Sequence, residues 1–442
     1  MNNKITNFWR SLKFWFALKK GSISLANQIL KTIKNSGAKL SPVEKLYQDK
    51  LNFQETLNDK DREIRSLSQK LKQAVDKLDE LELKIDFDEP VIRRLDDYIL
   101  TPEPKFIEFV TNKFKLTEKD ENLWQCTGID ETIFDDFESS LAEYIKSELE
   151  RRTEKKRASD LAAAIKDLQL LKSNIDPDYG YELSAHVYMM KYFPEHIYCS
   201  YLVWFLIYKS GLLPTKLNIL DIGAGPGTVA CGLALFLQSS SSFFTAPPMH
   251  ICYYSLEKQA HFQYRGLQFW RQYIEKQRIP TNLYFRFDTT DIFTYNKKSK
   301  VLPQGFFDFI VISHCLFAKP EEKRKSFETY HKIFQESLIR GGYVILIVQI
   351  KRLFGFYGMQ PQEDILLEKK LVENLAEELG LKLEWFKYIT ATGIRESQID
   401  FLKYANENLP TQKFITPLKR KYLKLNYNSH YAIDDYIIIA KR

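Results

Sequence analysis

The sequence is poor in the features that mark disulfide-stapled, metal-binding or membrane-spanning proteins. Its 442 residues include five cysteines, at positions 126, 199, 231, 252 and 315, which are scattered and form no C-x-x-C pair. This spacing argues against a disulfide framework and against a zinc or iron–sulfur site, so we expect no metal site and a reducing compartment. No run of about 18 apolar residues occurs, and the longest, YLVWFLIY from Tyr201, is too short to span a bilayer.

Other absences concern export and charge. The N-terminus lacks the apolar core and small-residue cleavage site of a secretory signal, so we expect a cytoplasmic protein. A formal net charge of +7 is mild, and a role in nucleic-acid binding would therefore need local basic clusters. What the chain does have is 44% hydrophobic and 14% aromatic residues, enough for globular cores, and a length that suggests two or three domains.

Residues 1–40 contain no acidic residue and eight lysines and arginines. Within them, a helix would carry one aromatic face, because apolar residues recur at helical spacing: Ile5, Phe8, Trp9, Leu12, Trp15 and Phe16. We interpret this segment as a basic amphipathic arm. Such a helix can lie in a membrane interface through residues 1–20, which would make the protein a peripheral membrane protein. The alternative is that the arm packs on the protein's own body or on a partner.

A heptad repeat follows over residues 41–87. Its a and d positions run from Val43 to Ile85 and are apolar except at Lys50 and Lys60, while the positions between them are rich in charge. The pattern predicts a coiled coil through which two chains could pair. A single long helix that folds back on its own domain is the alternative.

Residues 88–212 read as a helical region and cap, after prolines 90, 102 and 104 have ended the heptads. From residue 213 to 442, seven predicted strands alternate with helical segments. The first five strands are joined by long crossovers, which calls for a mostly parallel sheet covered by helices. Only a loop is evident between the last two strands, which we therefore expect to pair antiparallel.

The stretch LNILDIGAGPGTVA, residues 217–230, places a glycine-rich loop between the first of these strands and a helix. Such a loop holds its ligand at the carboxyl ends of parallel strands. A nucleoside triphosphate would need a lysine after the last glycine, but Thr228 and Val229 follow Gly227. A dinucleotide would need G-x-G-x-x-G and would bring its pyrophosphate close to Asp221. S-adenosylmethionine, a cationic nucleoside without phosphate, fits better.

The segment LDIGAGPGT resembles the first signature of class I S-adenosylmethionine-dependent methyltransferases, and the order of strands and helices from 217 to 442 is similar to their seven-stranded, Rossmann-like sheet. The resemblance implies a set of cofactor contacts. Asp221 and the loop would border the methionine part, Glu257 would accept hydrogen bonds from the ribose, and Asp288, beside Thr289, would accept one from the adenine. The loop residues concerned are Gly223, Ala224, Gly225 and Gly227.

The resemblance also implies an acceptor site at the end of the fourth strand, next to Ser313 and His314, with Ser313 in addition among the cofactor-binding residues. His314 could take a proton from an oxygen or nitrogen nucleophile, although a structural hydrogen bond is the simpler role for a histidine there. Tyr188 and Tyr192 precede the first strand, where aromatic groups can close the cofactor pocket by cation–π attraction to a sulfonium. Packing in the core is the alternative for both rings.

Two observations concern what the protein acts on. The last connection, KFITPLKRKYLKLNY, mixes aromatic residues with Lys419, Arg420 and Lys421, which suits either RNA binding or a solvated loop. Residues 307–348 are similar to methyltransferase-like proteins of the small mitochondrial ribosomal subunit, whose cysteine cluster this chain lacks. The sequence thus predicts a methyltransferase for an unidentified acceptor. The alternative is a non-catalytic scaffold or assembly factor that acts through the arm and coiled coil, on RNA or ribosomes.

Overall fold

A computed structural model describes residues 2–37, 39–45, 47–49, 51, 99–173, 175–243, 249–277, 281–297, 302–317, 319–396 and 400–442. The chain divides into two compact units, residues 1–91 and residues 92–442. Most of the predicted coiled coil, from residue 52 onward, lies outside the described residues and stays a prediction. None of the helices among the described residues is long and apolar enough to cross a bilayer.

The first unit contains a pair of helices, α1 (Asn2–Lys19) and α2 (Ile23–Asn35). They pack through Phe14 and Ala17 of α1 against Ala26 and Leu30 of α2. The helix predicted for the basic arm is therefore present. Its buried face differs from its aromatic face, however, because the residues that contact α2 are not those of the predicted aromatic stripe.

The second unit, described from residue 99, alternates helices and strands. Its helices are α3 (Pro104–Lys113), α4 (Glu131–Glu150), α5 (Glu154–Leu168), α6 (Ser184–Lys191), α7 (Phe193–Lys209), α8 (Thr228–Ser240), α9 (Ala260–Gln272), α10 (Pro320–Ser337), α11 (Ile350–Phe356), α12 (Ile365–Glu378), α13 (Phe401–Asn408) and α14 (Ile415–Leu423). Its strands are β1 (Leu116–Glu118), β2 (Leu123–Cys126), β3 (Lys216–Ile222), β4 (Met249–Glu257), β5 (Thr281–Thr289), β6 (Phe307–Ser313), β7 (Leu338–Gln349), β8 (Lys382–Thr390) and β9 (Asp434–Lys441).

All these strands join one sheet, in the order β1-β2-β8-β9-β7-β6-β3-β4-β5. Strands β5, β4, β3, β6 and β7 run parallel, and β9 is antiparallel to both of its neighbours. The predicted α/β class and the mostly parallel, Rossmann-like sheet are confirmed. The expected number of seven strands is wrong, because β1 and β2 extend the sheet beyond β8. With three and four residues, these strands are too short to show an alternating pattern within a helical region.

The last connection also differs from the prediction. Strands β8 and β9 pair antiparallel as expected, but α13 and α14 lie between them in the chain, where only a loop was predicted. Each helix spans fewer than ten residues, and Pro410 and Pro417 interrupt the helical spacing of apolar residues. The helical signal in the sequence is therefore weak.

The helix before β3 holds the centre of the sheet in place. The apolar run that is too short to span a bilayer forms the second half of α7, which is buried nearly along its whole length. Trp204 is fully buried there, and its Nε1–H donates to the carbonyl oxygen of Val229 in α8, 3.2 Å away. Because α8 begins directly after the glycine loop, this packing positions the loop at the end of β3.

Candidate functional site

The glycine loop joins β3 to α8 with an open backbone. Gly223, Gly225 and Gly227 have φ values of +70°, +56° and +81°, in the left-handed region where a side chain is strained. A Cβ added to Gly223 would meet Cys315 Sγ at 2.4 Å, whereas one added to Gly225 would meet no atom within 4 Å. The loop therefore packs against the segment that follows β6 at its first glycine and faces open space at its second.

A crevice opens beside this loop, at the carboxyl ends of the parallel strands. The centre of a water molecule can reach about 200 Å³ of it. The ends of four neighbouring strands supply much of its wall, through the residue pairs Gly223 and Gly225, Leu256 and Glu257, Thr290 and Asp291, and Ser313 and His314. This is where an open α/β sheet binds its ligand.

Glu257, predicted to hold the ribose, lies in the crevice and is tied to the loop. Its Oε2 accepts a hydrogen bond from the backbone N–H of Gly225, and its Oε1 accepts one from that of Gln259, both at 2.8 Å. Burial raises the pKa of this carboxyl, and the backbone N–H donors oppose that rise. Each carboxylate oxygen has further acceptor capacity for a ligand hydroxyl.

Asp221, near the end of β3, and Ala224, within the loop, do not line the crevice. The Asp221 side chain is fully buried and accepts a hydrogen bond from the Tyr253 hydroxyl through Oδ2. Burial raises the pKa of Asp221 to about 7. No partner for its Oδ1 is found among the described residues. The Ala224 N–H donates to the carbonyl oxygen of Leu256, which ties the loop to the end of β4.

Asp288 and Thr289, predicted to face the adenine, also lie outside the crevice wall. Asp288 Oδ1 accepts from the Thr290 hydroxyl at 2.7 Å, and the Thr289 hydroxyl donates to Gln263 at 2.8 Å. Strand β5 continues to Thr289, so the residues just beyond its end are Thr290 and Asp291. These two line the crevice in place of the predicted pair. Asp291 lies three residues beyond Asp288, the expected end of the strand.

An aromatic wall faces the glycine loop. Tyr188 lines the crevice, as do Tyr179 and Phe262, which the sequence did not single out. The ring of Phe262 lies 5.4 Å from that of Tyr188 and 5.5 Å from that of Tyr179. Tyr179 has a φ of +57°, and its N–H donates to the buried Asp167 carboxylate. Tyr192 does not reach the crevice and contributes to the packing behind Tyr188.

His314 belongs to a hydrogen-bonded chain that leads away from the crevice. Its Nε2 lies 3.0 Å from Asp435 Oδ1, and its Nδ1 lies 3.0 Å from the Ser313 hydroxyl. Its ring stacks on that of His196, with centroids 4.0 Å apart and planes 3° from parallel. Because a carboxylate only accepts, Nε2 carries the proton and Nδ1 accepts from Ser313. His314 also has a φ of +53°, an uncommon conformation that occurs at functional sites.

Neither Asp435 nor His196 was predicted as part of the site. Asp435 is the second residue of the last strand, β9, and lies far along the chain from His314. The antiparallel pairing of β9 with β7 brings the two together. Burial, and then the neighbouring His314, lower the pKa of His196 well below its ordinary value, so this ring stays neutral. A histidine partner on a helix gives no signal in a single sequence.

The charges around the crevice favour a cationic ligand. Four carboxylates line it, those of Asp176, Asp178, Glu257 and Asp291, and one ammonium group, that of Lys258. Lys258 Nζ pairs with Asp291 at 3.4 Å. Asp176 pairs with Arg352, outside the lining, at 3.2 Å, so Asp178 and Glu257 carry the uncompensated charge. Such a wall suits a sulfonium or ammonium group and repels a pyrophosphate. No group of three or more potential metal-binding side chains occurs among the residues that the structure describes.

The basic segment predicted as an RNA contact lies on α14. Lys419 is buried and donates to Gln412 Oε1 at 2.8 Å, so it is not at the surface as that prediction required. Lys421 is exposed and pairs with Glu150 at 3.2 Å, and Arg420 is exposed next to Asn428. An RNA contact through Arg420 and Lys421 stays a prediction.

Comparison with known proteins finds distant structural likeness. No protein-family profile and no curated protein matches the chain. A methyltransferase from Methanosarcina mazei covers 52% of this chain and 94% of its own, at 14% identity and a TM-score of 0.31. One from Leishmania major covers 64% of this chain and 82% of its own, at 12% identity and a TM-score of 0.31. The YcgJ protein of Bacillus subtilis covers 55% of this chain and 99% of its own, at 13% identity and a TM-score of 0.29. The first two are described as S-adenosylmethionine-dependent, and likeness this distant identifies no substrate.

Proposed function

We propose that this chain binds S-adenosyl-L-methionine in the crevice beside the glycine loop and transfers its methyl group to an acceptor that enters past Ser313. One observation carries the proposal: the Glu257 carboxylate is held by the N–H of Gly225 at the point where the bare backbone faces open space. A fixed carboxylate beside an open backbone is suited to a ribose diol and an amino-acid tail. The acidic crevice agrees with a cationic, phosphate-free nucleoside.

Each wall of the crevice has a role in this binding. Glu257 accepts from the ribose hydroxyls, and Thr290 and Asp291 lie at the next strand end, where the base would be held. Tyr188 and Phe262 supply aromatic faces, which attract a sulfonium by roughly 0.5–1 kcal/mol at exposed sites and more when desolvated. Asp221 does not line the crevice and does not touch the ligand.

Methyl transfer requires alignment above all. Bound S-adenosylmethionine supplies a methyl group on a sulfonium, which becomes a thioether when an oxygen or nitrogen nucleophile takes the methyl. Correct positioning of the two reactants can supply about 7–11 kcal/mol of the reduction in the barrier. The chain's own residues must therefore hold the acceptor in line and remove one proton from it.

Ser313, His314 and Asp435 form a route for that proton. The Ser313 hydroxyl takes the acceptor's proton as it passes its own to His314 Nδ1. Asp435 holds the opposite nitrogen and stabilises the resulting imidazolium. The ring of His196, which burial keeps neutral, adds no positive charge beside it.

The test is incubation of the full-length protein with methyl-labelled S-adenosylmethionine and fractions of a cell lysate, separated into RNA, protein and small molecules. We expect label in one fraction. Ser313→Ala and Asp435→Asn should slow labelling by about 10²–10⁴-fold without changing cofactor affinity. Glu328→Gln, on the exposed surface of α10, serves as the control and should label like the wild type. Absence of label in every fraction, with cofactor binding intact, would contradict catalysis.

That result would favour the second candidate, a non-catalytic scaffold. One feature of the site supports it: both ring nitrogens of His314 are already hydrogen-bonded within the chain, so any acceptor depends on Ser313 to reach a base. A scaffold of this kind would act through the helices of the first unit and the predicted coiled coil.

A further inference from the structure

Helix α1 has two apolar faces, and α2 covers one of them. Phe14 and Ala17 are buried against α2. Trp9, Trp15 and Phe16 are 56%, 46% and 48% exposed. At 100° per residue, these three side chains point away from the face that holds Phe14. The exposed face is thus not the one that folds the helical pair.

Tryptophan is exposed on this helix and nowhere else in the chain. All six tryptophans lie among the described residues: Trp124, Trp204 and Trp270 are buried, Trp385 is partly buried, and the other two are Trp9 and Trp15. Tryptophan is enriched where proteins meet the boundary between lipid headgroups and acyl chains, because its ring is apolar with one polar edge. Its restriction to one exposed face therefore points to an interface.

The charge of this segment complements an anionic surface. Residues 1–40 hold eight lysines and arginines and no acid. Lys13 and Lys20 are exposed beside the aromatic face, and Lys19 Nζ lies 5.1 Å from the centre of the Trp15 ring. Lysine side chains at such positions extend along apolar surface and keep the ammonium group at the headgroups.

We propose that the exposed face of α1, formed by Trp9, Trp15 and Phe16 and bordered by Lys13 and Lys20, lies in the interface of a bilayer that contains anionic lipids. The helix is amphipathic and too polar to span, as in other interfacial helices. This proposal is independent of methyl transfer.

RNA is a weaker fit to the same face. Aromatic rings and cations suit both RNA and lipid, but aliphatic side chains do not stack on bases. Ile23 and Leu25, at the start of α2, are 64% and 48% exposed, so the first unit also presents aliphatic side chains to solvent. Aliphatic groups lower the free energy of the protein when they enter the acyl region.

The experiment is flotation of the full-length protein with vesicles of phosphatidylcholine containing 30% phosphatidylserine, beside vesicles of phosphatidylcholine alone. We expect the protein to float with the anionic vesicles, and the bound fraction to fall as NaCl is raised. The double variant Trp15→Ser/Phe16→Ser should lower the partition coefficient at least about tenfold. Lys13→Glu/Lys20→Glu should lower it by about tenfold or more on anionic vesicles.

Two matched variants of the second unit control for nonspecific hydrophobic and electrostatic binding to the vesicles. Tyr284→Ser/Phe287→Ser removes two exposed aromatic rings from β5, and Lys370→Glu/Lys403→Glu removes two exposed cations. Both should float like the wild type. Circular dichroism checks that every variant keeps its helix content, and only variants that keep it are compared.

Three results would overturn the proposal: no flotation with anionic vesicles, flotation of Trp15→Ser/Phe16→Ser equal to the wild type, or equal losses in the controls. Two further results would assign the face to another occupant and would also overturn it. One is oligomerisation without vesicles that Trp15→Ser/Phe16→Ser abolishes, and the other is RNA binding that anionic vesicles fail to displace.

Discussion

Aromatic side chains occupy opposite environments in the two units of the chain. In the second unit, Trp204 is fully buried between α7 and α8, and Tyr188 and Phe262 line a crevice. In the first unit, Trp9 and Trp15 face outward from a helix whose other face is packed. The same residue type thus stabilises the core in one unit and presents a surface in the other. Composition alone cannot separate these uses, whereas the position of each residue on its helix does.

The largest expected effect is on stability, when one tryptophan in each unit is replaced by alanine. Trp204→Ala removes a fully buried ring and leaves the Val229 carbonyl without its donor, so it should lower the free energy of unfolding by about 3–5 kcal/mol. Trp15→Ala removes an exposed ring and should change the free energy by less than about 0.5 kcal/mol. Urea unfolding of the full chain measures both. Equal losses would mean that Trp15 is part of a core.

The next effect concerns the buried carboxyl of Asp221. Burial raises the pKa of Asp221 from 3.8 to about 7. Between these values the unfolded chain has lost this proton while the native state keeps it, so the contribution of Asp221 to stability falls as pH rises. Asp221→Asn should remove about 1–3 kcal/mol of the loss measured between pH 5 and pH 7.5.

Urea unfolding at the two pH values tests this prediction. Burial also raises the pKa values of Glu195 and Asp434, to about 6. These two groups contribute the same loss of stability with rising pH in the wild type and in the variant. The difference between the two proteins therefore isolates Asp221. Glu328→Gln, an exposed carboxyl on α10, should follow the wild type. An unchanged slope in Asp221→Asn would show that this carboxyl stays ionised.

A smaller effect is expected at the crevice itself. Glu257→Gln removes the charge that strengthens hydrogen bonds to ligand hydroxyls and one acceptor of the loop N–H groups, so affinity for S-adenosylmethionine should fall about tenfold. Calorimetric titration measures this fall, with Glu328→Gln as control. Wild-type affinity in Glu257→Gln would place the ribose elsewhere.

The smallest expected effect, on ligand affinity, separates cation–π attraction by the Tyr188 ring from its packing against the ligand. Tyr188→Leu should weaken S-adenosylmethionine about three- to fivefold, because an aliphatic side chain has no negative face to attract a sulfonium. S-adenosylhomocysteine, which is neutral at sulfur, should bind almost unchanged, and Tyr188→Phe should keep both affinities. Parallel titrations with the two ligands give the ratio. Equal weakening of both would indicate lost packing instead.

The sequence predicted most of the architecture of the second unit but only part of its site. Long strands joined by crossover helices, and a glycine loop between strand and helix, are local signals, and the structure has both. Gly223 and Gly225 line the crevice, whereas Gly227 does not. The site residues it missed depend on distant contacts: Asp435 reaches His314 through the pairing of β9, and Tyr179 reaches the crevice through a turn held by Asp167. Asp288 lies outside the crevice wall, since β5 continues one residue beyond it to Thr289.

In the first unit, the sequence predicted the exposed surface better than the packing. Helical spacing predicted α1 and its aromatic face, but not that Phe14, outside that stripe, would form the contact with α2. A second apolar face on a helix is visible only when its partner helix is known. The short strands β1 and β2 escaped prediction for a related reason, since three or four residues carry too little pattern to outweigh their helical surroundings.

Calorimetric titration of the full-length protein with S-adenosylmethionine tests the central claim most directly, alongside Gly225→Val and Gly211→Ala. Both glycines have positive φ and open space around their Cβ positions, but only Gly225 lines the crevice. We predict saturable binding at one site in the wild type, the same affinity in Gly211→Ala, and a loss of at least about 100-fold in Gly225→Val, whose side chain would occupy the ligand's space. Absence of binding by the wild type at millimolar ligand, or equal affinity in all three proteins, would contradict the claim.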